Sequence, residues 1–266
     1  MQHVSCSIFR KGHADSAGSA EKGTRTMKAA IHQPHYLPWL GYMDKMAKAD
    51  KFIILDEVQL TDRSPMVRNK FWGFNGKEEM LSLSIQKKGY REKMAKDIKL
   101  FEIRQVQDRH RKYFEYNYKR AAFYEEIMGQ LQPIFEKPYE NLIDIEMDTV
   151  LMIKRCLGIQ TQIVYQSELS YDRQSRKSDL MQALSSAVGA DIYISGNGAR
   201  KYMDEESFAR EGIRVAYQKF SYPVYSQFGR KEFVPNLSSL DMLFHLGIEE
   251  AGKVFWDNVE KGKECI

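Results

Sequence analysis

From residue 27 onward the chain alternates two patterns of apolar residues, and residues 1–26 follow neither. Short apolar runs at 28–31, 52–55, 162–165, 192–194 and 214–217 have the length of strands. Between them apolar residues recur at three- and four-residue spacing over 40–48, 103–135, 141–157, 177–188, 199–210, 238–246 and 248–259, which predicts helices. Asn75-Gly76, lying between strand-like runs at 70–74 and 80–85, predicts a hairpin. Strand, loop, helix and strand follow one another within 28–55, as in a βαβ crossover, whose ligand side lies at the loops after the strands' carboxyl ends. The expected fold class is therefore α/β: a mainly parallel sheet flanked by helices, with a helical middle segment and a helical C-terminus. Residues 1–26 read as a disordered leader or upstream extension, and 27–266 as a single domain.

Composition narrows the function classes. The 266 residues are 43% hydrophobic and 29% charged, and no run approaches the roughly 18 consecutive apolar residues of a spanning helix, so no membrane span is expected. Cys6, Cys156 and Cys265 are odd in number and scattered, which argues against a disulfide framework and against a cysteine zinc site. The leader has no apolar core of signal-peptide length, and a cytoplasmic location is expected. Half of the net charge of +4 sits in the leader, which holds Arg10, Lys11, Lys22 and Arg25 against Asp15 and Glu21. The remainder is close to neutral, so nucleic acid is not expected as the main ligand.

Three constellations can carry chemistry. In His32-Gln33-Pro34-His35-Tyr36-Leu37-Pro38 the prolines stiffen a loop after the first strand, and Gly41 permits close backbone approach near the following helix. Its imidazoles can act as bases, or simply satisfy hydrogen bonds in a packed aromatic corner. Asp56-Glu57 ends the second strand, followed by Asp62-Arg63 and Arg68-Asn69; carboxylates there can hold a metal, hydroxyls or an amine, and guanidiniums match phosphate, although a solvated charged loop has the same composition. Ser195-Gly196-Asn197-Gly198, with Arg200 and Lys201 behind it, is a strand-to-helix turn whose backbone can approach a ligand. It does not complete a dinucleotide fingerprint, because Lys201 stands where a third glycine would fall. Asp241 and His245 are spaced to share one helix face, as a carboxylate–imidazole pair or as part of a structural helix start. The Tyr/Lys/Arg-rich stretch 104–124 reads as a packed helix diluted by acids rather than a nucleic-acid platform.

With these pieces assembled, the sequence resembles the WbqC-like protein family. The resemblance runs from Met27 to about Gly247, through the His32–Tyr42 and Phe52–Gln59 segments, Arg68-Asn69, Tyr193–Gly198, Pro223–Gln227 and Pro235–Asp241. Glu57 stands where aspartate is more usual. The resemblance implies bacterial surface-polysaccharide gene clusters and the attachment of an amino acid such as glycine to an amino sugar. The expected activity is a group transfer, aminoacyl or other acyl, onto the amine of a nucleotide-linked sugar. The partners would be a small anionic substrate and an aminoacyl donor. His32 or His35 would serve as base and Asp56 would orient the base or the amine. Gln33, Tyr36, Arg63, Arg68, Asn69, Ser195, Gly196, Asn197, Gly198 and Lys201 would bind substrate. No metal site is read and no cofactor is identified. Two alternatives stay open: ATP-dependent nucleotidyl transfer, and a non-catalytic sugar- or nucleotide-binding module.

Overall fold

A computed structural model describes residues 26–61 and 64–263. The leader, except Thr26, and Arg63 lie outside the described residues. Five parallel strands, β1 (Lys28–His32), β2 (Lys51–Ile54), β5 (Gln162–Tyr165), β6 (Ile192–Ser195) and β7 (Arg214–Tyr217), form one sheet in the order β5-β2-β1-β6-β7. Strands β3 (Arg68–Trp72) and β4 (Glu78–Ser82) form the antiparallel hairpin, with Gly76 at φ +75° in its turn.

The strand pleat assigns the sheet's two faces. Ala30, Phe52, Ile54 and Ile194 pack into one core; Ala29, Ile31, Ile53 and Tyr193 pack into the other. The second core is closed by Leu184 and Val188, at helix α5 (Lys177–Ala187), and by Phe208 of α6 (Glu205–Arg210). The larger core is closed by α1 (Leu40–Ala47), α2 (Ile103–Tyr118), α3 (Tyr124–Glu136), α4 (Leu142–Cys156) and α7 (Ser239–Lys263). Helices on both faces explain why the parallel strands read as almost uninterrupted apolar runs.

Two predicted helices are divided. The stretch 103–135 breaks between α2 and α3, where Phe123 N–H donates to the Phe244 carbonyl at 3.2 Å. This reversal lets both helices contribute to one core, in which Phe114 contacts Phe71, Phe135 and Phe244. The stretch 199–210 becomes a 3₁₀ turn, Asn197–Lys201, followed by α6, whose N-terminal Ser207 N–H is capped by the Asp204 carboxylate at 3.1 Å. At the C-terminus the division expected between 246 and 248 is a kink at Gly247, with φ +73° and ψ 175°. A Cβ there would stand 2.5 Å from the Phe123 ring, so conformation and space both require glycine.

Candidate active site

The sheet order places a switch point between β1 and β6. The chain leaves β1 toward β2 and β5, then returns at β6 and continues to β7 on the other side. Loops leaving neighbouring strands in opposite directions open a crevice at their carboxyl ends, the usual ligand position in such sheets. A cleft of about 680 Å³ lies there. His32 and Gln33 line it from the end of β1, and Ser195, Gly196 and Gly198 from the end of β6. Met181, Tyr193, Tyr202 and Met203 supply an apolar wall, and Lys45 and Lys177 supply positive charge. Its described lining contains no carboxylate. A wider hollow of about 1000 Å³ sits at the opposite, amino-terminal ends of the strands, bounded by Met27, Lys28, Asp50 and Lys51.

The loop after β1 is held along its length. Tyr36 N–H donates to the Met66 carbonyl at 3.2 Å, and Leu37 N–H to Thr149 Oγ1 at 3.1 Å. The Leu37 carbonyl accepts from Asn69 Nδ2 at 2.5 Å and from Ser238 Oγ at 2.9 Å. These clamps hold Leu37 at φ +48°, an unfavourable conformation for a branched side chain. Gly41 then lets Trp39 fold back: a Cβ on Gly41 would lie 2.1 Å from the indole.

That geometry presents His32 and buries His35. His32 Nδ1 lies 3.2 Å from the Gln33 carbonyl, which can only accept, so Nδ1 carries the proton and the neutral ring keeps its lone pair on Nε2. Burial, then the nearby His35 and Lys45, hold His32 well below the usual imidazole range against the opposing pull of the Gln33 carbonyl. His35, 3% exposed, meets His32 edge-on at 4.7 Å between ring centres and stacks on Tyr42 at 4.8 Å. Burial and then Lys45 lower its pKa to about 3.

Lys45, on α1, carries the strongest functional signal that the sequence did not reveal. It is 5% exposed, its Nζ donates to the Ile31 carbonyl at 2.8 Å, and no ion-pair partner is found for it among the described residues. Burial alone brings its pKa down to about 8, close to neutrality. In sequence it is one lysine on a short helix, flanked by Asp44 and Met46. Only the end of β1 lying over it shows that its amine is desolvated.

The other predicted site residues separate. Tyr36 is a correction: it is fully buried, with its hydroxyl 2.8 Å from His110 Nδ1, and supports the loop from beneath instead of meeting substrate. Asn69 is half-buried, and its amide holds the Leu37 carbonyl. Asp56 stands at the carboxyl end of β2, but its oxygens accept from Ser167 N–H at 2.9 Å and Ser167 Oγ at 2.5 Å. It ties β2 to the turn after β5 and lies outside the cleft lining. Glu57 pairs with Lys96 at 2.7 Å and with Arg173. Arg68 lies on the hairpin, and Asn197 and Lys201 are exposed on the turn beyond the lining.

The model of the WbqC-like protein family matches residues 33–253, from the loop beside His32 to the second part of α7. The chain belongs to this family. A protein of Mycobacterium tuberculosis (strain ATCC 25618 / H37Rv), named as the uncharacterized protein Rv1507c, is 32% identical to this WbqC-like chain over 225 residues. The alignment covers 84% of this chain and 95% of that protein. No solved structure matches this chain. Among the described residues of the WbqC-like chain, no helix is long and apolar enough to cross a membrane, and no three His, Cys, Asp or Glu residues are grouped to hold a metal ion.

Proposed function

We propose that this chain is a cytoplasmic group transferase that places an acyl group, with glycyl the first expectation, on the amine of a nucleotide-linked amino sugar in surface-polysaccharide biosynthesis. The observation carrying this reading is the cleft wall at the switch point. It combines Lys45 and Lys177 with a neutral His32, an apolar side and no described carboxylate. Such a lining favours an anionic substrate that has an apolar portion. Gly196 and Gly198 leave open space where a Cβ would stand, so phosphate oxygens can approach the backbone there.

Transfer requires a neutral amine. Its nitrogen attacks the acyl carbon, the new C–N bond forms, the bond to the leaving group breaks, and one proton leaves the nitrogen. Lys45, with a pKa of about 8, takes that proton in the minority of molecules whose amine is neutral at pH 7, a fraction that grows as pH rises through 8, and His32 Nε2 holds the substrate amine by accepting its hydrogen bond. This divides the work between two groups, where sequence alone assigned it to histidine. His35 is a packing partner behind His32.

The test is incubation with UDP-glucosamine and glycine, supplied free, with ATP, or as glycyl-tRNA, followed by mass spectrometry. A glycyl increment on the sugar that disappears in Lys45→Met and falls strongly in His32→Gln is expected. Pyrophosphate release without acyl transfer would support nucleotidyl chemistry, and binding without product would support the non-catalytic module.

A further inference from the structure

A second built pocket lies away from the cleft and shares no lining residue with it. Its volume is about 210 Å³, between the hairpin turn, the end of α2, the loop before α7 and α7 itself. Asp241 lies beneath it. This carboxylate is fully buried and accepts from Tyr118 Oη at 2.9 Å, Tyr225 Oη at 2.8 Å and Gln227 Nε2 at 2.8 Å. It also accepts from both terminal nitrogens of Arg230, at 3.2 and 2.7 Å.

Two groups in the pocket lining have hydrogen-bonding capacity for a ligand. The Arg230 side chain is 5% exposed and its guanidinium lies 5.7 Å from the centre of the Trp72 ring, yet its buried Nε–H has no acceptor among the described residues. His245, with a side chain 6% exposed, has Nδ1 2.6 Å from the Asp241 carbonyl. That carbonyl can only accept, so Nδ1 donates; in that tautomer Nε2 is the acceptor. Trp72, Phe74, Tyr118 and Phe228 form the apolar boundary. Arg230 is already neutralised by Asp241, so its guanidinium offers no unmatched charge to an anion. An unused buried donor is costly, and a ligand acceptor would relieve that cost.

We propose that this pocket is a second ligand site, for a compact uncharged molecule bearing a carbonyl acceptor beside an N–H or O–H donor on an apolar body. A carboxamide is the simplest such group: its oxygen would accept from Arg230 Nε–H and its N–H would donate to His245 Nε2. The site stands independently of the proposed transfer reaction.

Benzamide is the probe, with benzoate and benzylamine as charged analogues, titrated into the full chain labelled with ¹⁵N in its tryptophan side chains. The Trp72 indole signal should shift and saturate with benzamide, and both charged analogues should bind at least about tenfold more weakly. His245→Leu should weaken benzamide binding about tenfold, the worth of one neutral hydrogen bond. Phe228→Ala, at a residue 49% exposed on the rim, should weaken it about threefold through lost apolar contact and keeps the test available if His245→Leu does not fold. Unchanged Trp39 and Trp256 signals establish folding in each variant. The proposal is overturned by absence of a saturable shift at Trp72, by equal affinity for benzoate, or by undiminished binding in either folded variant.

Discussion

Replacing Lys45 with methionine should make the protein more stable at neutral pH. Burial lowers the amine from its ordinary 10.5 to about 8. At about 1.4 kcal/mol per pH unit, that gap corresponds to a penalty of about 3 kcal/mol for keeping the charge in the folded state. Below pH 8 both folded and unfolded chains carry the proton, and the penalty is present in full. Between pH 8 and 10.5 the unfolded chain binds more protons than the folded one, so this group's contribution to stability rises with pH. Methionine fills similar space without the charge, but it removes the bond from Nζ to the Ile31 carbonyl, a loss of about 1 kcal/mol. Urea unfolding should therefore find Lys45→Met about 2 kcal/mol more stable than the parent at pH 7, with the advantage nearly gone by pH 9.5. Tyrosine ionisation affects both proteins and cancels in the difference. A variant less stable at pH 7, or a difference that stays constant from pH 7 to 9.5, would refute the claim that a desolvated amine is retained here for function.

His35 and His110, each with a pKa brought down to about 3 mainly by burial, should show no NMR titration between pH 5 and 8. Because their unfolded counterparts take up protons below about 6.5, each should remove stability as pH falls from 6.5 toward 3, by up to about 1.4 kcal/mol per pH unit. Ser167→Ala should cost about 1–2 kcal/mol in urea unfolding by stripping a donor from Asp56, while sugar-nucleotide affinity stays unchanged. Gly247→Ala should cost about 2–3 kcal/mol, read as a lower thermal midpoint, because its backbone conformation excludes a side chain and Phe123 occupies the space.

Much of this architecture is legible from local patterns. The five sheet strands carry their own apolar runs, and Asn75-Gly76 marks its hairpin, because burial on both faces and turn chemistry act on neighbouring residues. The break near Phe123 is harder to read, since it depends on a contact with Phe244, far along the chain. The same distinction governs the site. His32, Gln33, Ser195, Gly196 and Gly198 follow from the rule that ligands gather at the carboxyl ends of parallel strands. Tyr36 and Asn69 belong to the same motifs, but their contacts depend on His110 and the Leu37 carbonyl, and Tyr36 is fully buried. Lys45 becomes chemically distinctive only when the end of β1 removes its water.

The central claim is that the switch-point cleft receives the phosphate-bearing part of a nucleotide-linked sugar. Gly198 offers a direct test: it has no positive φ, and nothing lies within 4 Å of a Cβ built on it, so Gly198→Asp adds a carboxylate to the cleft at little structural cost. Isothermal titration calorimetry with UDP-glucosamine should detect binding to the parent and a loss of at least about tenfold in Gly198→Asp, with the melting temperature retained. Equal affinity in the two folded proteins would contradict the account.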